Sequence, residues 1–192
     1  MPHTEQVKSS IPAVREATLR DGRVCRVRPI LPDDCERLVA FHERLSVNTT
    51  RLRFFSPLRH LSPEFANRLC NVDFKRRCAF VISLPGDDAI HAVGRYEWES
   101  AHSAEVAFVV EDEMQGMGIG TILLERLADH ARTRGFRRLT AVVLCENTMM
   151  LTLFRESPYL PEIHMEGSLA FVKLDIRRKS QPRGRGQIDK VA

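Results

Sequence analysis

The chain has 192 residues, of which 43% are hydrophobic and 28% are charged, and its net charge is +4. This length and composition are sufficient for one globular domain with a hydrophobic core. No apolar run approaches the roughly 18 residues of a membrane-spanning helix, and the first five residues have no signal-peptide pattern. The sequence therefore predicts neither a membrane protein nor an exported one.

The positive charge is concentrated at the C-terminus. Residues 176–192 contain six basic residues and one acidic residue, so the preceding chain has a net charge of −1. The Pro-Arg-Gly-Arg-Gly stretch of this tail is typical of an unstructured, solvated terminus. Such a tail could contact nucleic acid, but it has no interleaved aromatic residues, so we favour a solvated end and expect no nucleic-acid partner.

Five cysteines are present, an odd number, and none of them forms a CxxC pair. Reduced thiols in a cytoplasmic protein explain this pattern better than a zinc site or a disulfide framework. We therefore expect a cytoplasmic location and no metal.

The first third of the chain predicts a hairpin followed by two helices. Asp21-Gly22 lies between two extended segments and is typical of a hairpin turn. A helix is predicted to begin at Asp33, after a proline. Its expected buried face consists of Leu38, Phe41 and Leu45. Ser62-Pro63 predicts the start of a second helix, which runs to about residue 69.

Five strands are predicted in the remaining chain, at residues 78–84, 89–98, 105–110, 139–144 and 168–176. The last two are each preceded by a helical pattern, so the element order indicates an α/β (α+β) domain with a mixed sheet. Between the final helix and the final strand, the residues from Ser157 to Pro161 are expected to form a bent loop that the prolines fix.

A glycine-rich turn follows the strand at residues 105–110. It comprises residues 115–120 and precedes an amphipathic helix that ends at Gly135. The apolar face of this helix consists of Ile119, Leu123, Leu127 and Ala131. Glycines allow several backbone N–H groups to point at one ligand, and a helix N-terminus adds free donors and a positive dipole. The turn therefore predicts a phosphate or pyrophosphate site.

The spacing of the glycines distinguishes between the phosphate-binding motifs to which this turn could belong. A dinucleotide fingerprint requires G-x-G-x-x-G, but the last position is Thr121 in one register and Leu123 in the other. A P-loop requires Gly-Lys-Ser/Thr, which does not follow. The pattern that does match is Gln/Arg-x-x-Gly-x-Gly/Ala, with Gln115, Gly118 and Gly120 at its fixed positions.

This pattern resembles the acyl-CoA-binding motif of the GNAT acetyltransferase superfamily. Asn147, which follows the strand at residues 139–144, is similar to an asparagine that the family usually has there. Upstream, the segments 19–22, 27–30 and 52–55 resemble the GNAT module of bacterial protein lysine acetyltransferases. The resemblance covers residues 18–175, so we divide the chain into an extension (1–17), a GNAT-like domain (18–175) and the basic tail (176–192).

The resemblance implies both a fold and a donor site. The expected fold is a GNAT-like mixed, mostly antiparallel sheet that is splayed between the strands of Glu105 and Leu139, with helices on both faces. The pantetheine arm of acetyl-CoA would lie in this splay. The expected donor-site residues are Val109, Val110, Gln115, Met117, Gly118, Ile119, Gly120, Thr121 and Asn147. Asn147 could equally be the N-cap of its helix.

Transfer of an acyl group to an amine needs a base, because an alkyl ammonium with a pKa of about 10.4 is protonated at neutral pH. The resemblance places this base at Glu105, and Glu97, Glu99 and His102 are the alternatives. Many GNAT enzymes have a tyrosine seven residues after the asparagine, where this chain has Phe154.

We therefore expect an acyl-CoA-dependent N-acetyltransferase that acts by direct attack in a ternary complex, with acetyl-CoA as donor and no metal. No cysteine lies at the acyl site in the sequence order, so no covalent intermediate is expected. The acceptor is a primary amine, either a protein lysine or a small molecule. Because Phe154 and the proline loop depart from the family pattern, a non-catalytic acetyl-CoA-binding regulatory module is the alternative.

One further cluster has two interpretations. Arg51, Arg53, Phe54 and Phe55 could line an acceptor groove, or they could form a packing cluster at a helix end with solvated arginines.

Overall fold

The computed structural model of the protein describes residues 11–179. Residues 1–10 of the proposed extension (1–17) and residues 180–192 of the basic tail (176–192) therefore lie outside the described residues, as does the Pro-Arg-Gly-Arg-Gly stretch. The first strand begins at Arg15, inside the range that the sequence assigned to the extension.

Eight strands and five α-helices make up the described part of the chain. The strands are β1 (Arg15–Thr18), β2 (Val24–Pro29), β3 (Arg77–Ser83), β4 (Ala92–Ser100), β5 (Ser103–Val110), β6 (Arg138–Leu144), β7 (Leu160–Glu166) and β8 (Leu169–Asp175). The helices are α1 (Cys35–Glu43), α2 (Val47–Phe54), α3 (Pro63–Cys70), α4 (Ile119–Thr133) and α5 (Thr148–Arg155). None of these helices is both long enough and apolar enough to span a bilayer.

All eight strands belong to one sheet, in the order β1-β2-β3-β4-β5-β6-β8-β7. Six of the neighbouring pairs are antiparallel, and only β5 and β6 run parallel. This mixed, mostly antiparallel sheet confirms the expected α/β (α+β) fold class.

Helices cover both faces of the sheet, as expected. Phe80 and Ile82 of β3 pack in the cluster that includes the apolar face of α4. Ala79, which precedes Phe80, and Val81, which lies between Phe80 and Ile82, pack on the other face against α1 and α3. Because successive side chains of a strand point to opposite faces, β3 is buried on both sides.

Gly94 of β4 allows α4 to approach the sheet closely. A Cβ atom at this position would lie 3.0 Å from Leu123 Cβ and 3.1 Å from Phe108 Cδ1. The expected apolar face of α4 is buried here, with Leu123 and Leu127 both fully buried. This contact fixes the position of α4 relative to β4 and β5, and with it the position of the glycine-rich turn.

The start of α1 is fixed by Asp34 and not by Asp33. The Asp34 carboxylate is buried and accepts hydrogen bonds from Leu31 N–H at 2.8 Å and from the Arg28 guanidinium at 2.6 and 2.8 Å. Burial alone would raise the pKa of Asp34, but the hydrogen bonds from Arg28 and Leu31 lower it overall. Leu45, expected on the buried face of this helix, lies beyond its end.

Two elements were not predicted from the sequence. The expected loop from Ser157 to Pro161 was wrong at its end, because β7 begins at Leu160 and includes Pro161. A proline lacks an N–H group but is tolerated at the edge of a sheet, and β7 is the outermost strand. Helix α2 was also missed, since its β-branched residues have low helix propensity.

We predict that Gly94→Ala lowers the free energy of unfolding by about 1 to 3 kcal/mol, because the added methyl group overpacks the contact with α4. Gly94→Val should cost more than Gly94→Ala. Urea unfolding of the two variants measures both values. Since valine is the better strand residue, equal or greater stability of Gly94→Val would contradict the close approach of α4.

Candidate active site

The sheet opens between β5 and β6. These strands pair over only three residues: Ser103 with Arg138, Ala104 with Leu139, and Glu105 with Thr140. Beyond this point β6 stays paired with β8 over its whole length, while β5 stays paired with β4. Residues 106–110 and 141–143 therefore face a cleft of about 570 Å³ instead of each other. This opening is the splay that the sequence predicted.

Nine of the ten expected site residues line this cleft. They are Glu105, Val109, Val110, Gln115, Gly118, Ile119, Gly120, Thr121 and Asn147. Met117 is the one that does not. Its sulfur accepts a hydrogen bond from Arg23 at 3.0 Å, and its carbonyl oxygen accepts one from Arg20 N–H at 3.0 Å. The side chain of Met117 therefore packs against the β1–β2 hairpin.

The glycine-rich turn presents free backbone donors to the cleft. Gly118 has a φ of +86° and is the N-cap of α4, with no side-chain cap of its own. The first helical hydrogen bond runs from Ile122 N–H to Gly118 O at 3.2 Å. The amide N–H groups of residues 119–121 precede this bond and therefore have no acceptor within the helix. The first turn contains no acidic residue. This arrangement fits a phosphate group, because the donors and the helix dipole both favour an anion.

Arg20 adds a cation to this turn and was missed from the sequence. It lines the cleft, and a Cβ atom on Gly118 would lie 3.4 Å from Arg20 Cγ. Its guanidinium Nη1 lies 3.4 Å from Gly116 O, at a separation of 96 residues in the sequence. No local pattern indicates such a contact; only the pairing of the hairpin with the turn creates it.

Gln115 holds the turn in place through a side-chain network. Its amide Nε2 donates to Val110 O and to Thr49 Oγ1, both at 3.2 Å. Thr49 and Ser46, at the start of α2, donate to the Asp112 carboxylate at 2.8 and 2.7 Å. Burial alone would raise the pKa of Asp112, but these hydrogen bonds lower it. The network ties α2 to the segment between β5 and α4.

The ladder between β4 and β5 distinguishes Val109 from Val110. Glu111 N–H donates to His91 O at 2.9 Å, so the backbone of Glu111 faces β4. Backbone groups alternate sides along a strand, so Val109 also faces β4, whereas Val110 faces the cleft. Val110 O accordingly accepts the hydrogen bond from Gln115. Of the two expected backbone partners, Val110 is the better placed.

Glu105 lies where the splay begins and is exposed to the cleft. Among the alternative bases, Glu97 lies across from Glu105 on β4, and Glu99 accepts a hydrogen bond from Thr140 at 3.1 Å. Neither of them lines the cleft, and neither does His102. Of the four candidates, only Glu105 therefore lies where a ligand in the cleft could reach it.

The position of the missing tyrosine is occupied by a packed ring. Phe154 lines the cleft, and its ring centroid lies 6.2 Å from that of Phe108. Tyr159 is fully buried elsewhere, with Arg132 at 6.0 Å from its ring centroid. Burial raises the pKa of Tyr159. Its hydroxyl therefore does not replace the one that Phe154 lacks.

Asn147 caps a helix. Its side-chain oxygen accepts a hydrogen bond from Met150 N–H at 3.1 Å, at the start of α5. This is the N-cap role that the sequence left open, and a contact with the donor stays a prediction.

The arginine and phenylalanine cluster is divided between two environments. Arg53 and Phe55 line the cleft. Arg51 instead forms an ion pair with Glu146 at 2.5 Å, and Phe54 packs edge-on against His42 at 5.9 Å between ring centroids. Two members of the cluster therefore belong to the cleft and two make other contacts, and a role of Arg53 and Phe55 in binding the acceptor stays a prediction.

The five cysteines are all free, and none of them lines the cleft. Within residues 11–179, no three His, Cys, Asp or Glu side chains are grouped so that they could hold a metal ion. The charged side chains that line the cleft are the guanidinium groups of Arg20 and Arg53 and the carboxylates of Glu105, Asp112, Glu146 and Glu156.

Comparisons with known proteins agree with this geometry. The sequence model of the acetyltransferase (GNAT) family matches residues 37–156. The chain is 32% identical over 139 residues to Acetyltransferase PA5475 of Pseudomonas aeruginosa, which covers 71% of this chain and 75% of that protein. The crystal structure of the GNAT domain of S. lividans PAT superposes with a TM-score of 0.79 at 36% identity, covering 85% of this chain and 98% of that domain.

A third relative is longer than this chain. Acetyltransferase Pat of Mycolicibacterium smegmatis is 34% identical over 134 residues, which are 69% of this chain and 40% of that protein. This chain therefore spans less than half of that relative.

We predict that Arg20→Ala raises the Kd for acetyl-CoA about tenfold, because the turn loses a charge-assisted contact to phosphate. Arg26→Ala is the matched control, since it removes the same charge from an exposed side chain paired only with Glu16 at 3.9 Å. Calorimetric titration measures both affinities. Equal Kd values for the two variants would contradict a role of Arg20 at the turn.

Proposed function

This chain belongs to the acetyltransferase (GNAT) family, and on that premise we propose that it transfers an acetyl group from acetyl-CoA to a primary amine by direct attack in a ternary complex. The observation that carries this proposal is the cleft between β5 and β6, which has an anion-binding turn near Val110 and a carboxylate at Glu105. The family supports an N-acetyltransferase; the donor, the residue roles and the acceptor are proposals.

The cleft fits the donor along its length. Glu105 and Val110 are five residues apart on β5, a distance of about 17 Å in an extended strand. The pyrophosphate would lie on the amides of residues 119–121, beside Arg20. The pantetheine arm would extend from there toward Glu105 and pair with backbone groups of β5 such as those of Val110. Acetyl-CoA supplies an activated acyl group as a thioester.

Glu105 would act as the base. The attacking nitrogen must lose a proton, because its ammonium form has a pKa of about 10.4 and no free electron pair. A carboxylate at the edge of the cleft can accept that proton directly or through one water molecule. The C–N bond then forms at the thioester carbon and the C–S bond breaks, which releases the CoA thiolate. The nitrogen loses two protons on going from ammonium to amide: one passes through Glu105 to solvent water, and the other protonates the thiolate.

Stabilisation of the thioester oxygen and departure of the thiolate do not require a tyrosine. The backbone N–H groups of β5 that face the cleft can donate to the thioester oxygen as it gains negative charge. The departing thiol has a pKa of about 8.5, so its thiolate is a tolerable leaving group. Phe154 therefore does not preclude catalysis.

The acceptor in this proposal is a protein lysine or a small-molecule amine. The resemblance of segments 19–22, 27–30 and 52–55 to the GNAT module of bacterial protein lysine acetyltransferases favours the lysine. A cytoplasmic location, where acetyl-CoA and reduced cysteines coexist, belongs to the same proposal.

We predict that Glu105→Gln lowers kcat for acetyl transfer about 10²- to 10⁴-fold, because the base is lost while the donor site is retained. The Kd for acetyl-CoA should stay unchanged. CoA thiol release in the presence of amines and proteins measures the rate. Glu99→Gln is the matched control, since Glu99 lies outside the cleft.

Undiminished turnover in Glu105→Gln, with the pH profile of the wild-type enzyme, would refute the base assignment. Tight binding of acetyl-CoA by the wild-type protein without thiol release to any acceptor would instead favour the regulatory module.

A further inference from the structure

Arg53 is a cation in the cleft that forms no ion pair with any side chain of residues 11–179. Helix α2 packs against β5, and Arg53 lines the cleft beside Glu105 and Ala107. Its guanidinium carbon lies 4.9 Å from the centroid of the Phe54 ring. Within residues 11–179 this guanidinium makes neither a hydrogen bond nor an ion pair.

The neighbouring arginines, in contrast, form ion pairs or hydrogen bonds with other residues. Arg51, two residues earlier on α2, pairs with Glu146 at 2.5 Å. Arg44 pairs with Glu111 at 2.5 Å. The buried Arg95 donates to Leu69 O at 2.8 Å and lies 4.0 Å from the Glu97 carboxylate, although its Nε has no hydrogen-bond partner. Arg53 therefore differs from these three arginines, because each of them makes at least one hydrogen bond or ion pair and the guanidinium of Arg53 makes none within residues 11–179.

The environment of Arg53 favours an added anion. Burial lowers the pKa of Arg53 to about 10, and the positive charge of Arg95 also lowers it. The negative charges of Glu105 and Glu97 raise this pKa but do not compensate for the burial. A guanidinium that is half-buried without hydrogen-bond partners has lost part of its hydration without replacement. An anionic group of a ligand would supply the hydrogen-bond acceptors and the negative charge that no neighbouring side chain supplies to this guanidinium.

The geometry selects a carboxylate over a phosphate of the donor. The phosphate site lies at the turn beyond Val110, whereas Arg53 is close enough to Glu105 for their charges to interact. These two places are separated by about 17 Å along β5. A planar guanidinium with a fork of donors matches the two oxygens of a carboxylate.

We infer that the acceptor carries a carboxylate near the amine that is acetylated, and that Arg53 binds this carboxylate while Glu105 receives the proton of the amine. This inference rests on the proposed function, since it places the reacting nitrogen at Glu105. The acceptor thus presents a pair of opposite charges to a complementary pair in the cleft. A free amino acid has this chemistry, and so does a protein lysine beside an acidic residue.

Matched acceptors test this inference. The first pair is lysine and 1,5-diaminopentane, which lacks the carboxylate. The second is a blocked tetrapeptide with Lys-Glu at its centre and the same peptide with Lys-Gln. We expect kcat/KM with acetyl-CoA to be about 10- to 100-fold higher for the carboxylated member of at least one pair, mainly through KM. The pair that shows the preference identifies the source of the carboxylate.

Variants of Arg53 connect this preference to the side chain. Arg53→Gln should abolish it while leaving the Kd for acetyl-CoA unchanged. The preference is a ratio within each pair of acceptors, so a general change in rate caused by the loss of the charge near Glu105 cancels. Arg53→Lys, which keeps the charge but not the fork, should restore only part of it. Arg59→Gln is the matched control, because Arg59 is exposed and lies outside the cleft.

Equal kcat/KM within both pairs, or a preference that survives Arg53→Gln, would overturn the inference while acetyl transfer itself continues. An Arg53-dependent preference for succinyl-CoA over acetyl-CoA, without dependence on the acceptor, would also overturn it by placing the carboxylate on the acyl group. Absence of thiol release with every amine and protein would contradict the proposed function instead.

Discussion

The early divergence of two parallel strands is the constraint on which the site depends. After Glu105 and Thr140, β5 and β6 no longer pair, although each remains fixed by its other neighbour in the sheet. Backbone N–H and C=O groups inside a protein need partners, and the cleft leaves those of Phe108 and Val110 facing outward from β5. A ligand with amide groups along an extended arm can pair with such a strand edge. The sheet thus prepares a site from backbone groups alone.

Other contacts hold the opening in a fixed shape. Gly94 lets α4 lie close to the sheet, so that the N-terminus of this helix is directed at the end of the cleft. The hydrogen bonds among Gln115, Thr49 and Asp112 connect the turn to α2. Helix α2 in turn carries Arg53 to the far part of the cleft. The glycine-rich turn and the part of the cleft near Arg53 are therefore connected through one short helix.

Local patterns were sufficient to predict the glycine-rich turn and insufficient to predict the residues that reach it from other elements. Spacing alone predicted Gly118 and Gly120 as the turn, because a helix start and a positive φ leave a readable signal. Arg20 and Thr49 reach the turn only through tertiary structure, so no spacing indicates them. The strand β7 was missed because a proline such as Pro161 is unfavourable in a strand unless the strand lies at the edge of a sheet. The edge position of β7 follows from the order of all the strands, which the local sequence does not indicate.

The central claim is that acetyl-CoA lies between β5 and β6 with its pyrophosphate on the start of α4. Amide hydrogen exchange, followed residue by residue with and without acetyl-CoA, tests it most directly. The account predicts slower exchange on binding for the amides of residues 119–121 and for those of Phe108 and Val110. It also predicts little change for Val109, whose amide already faces β4. Unchanged exchange in both segments at a saturating concentration of acetyl-CoA would contradict the account.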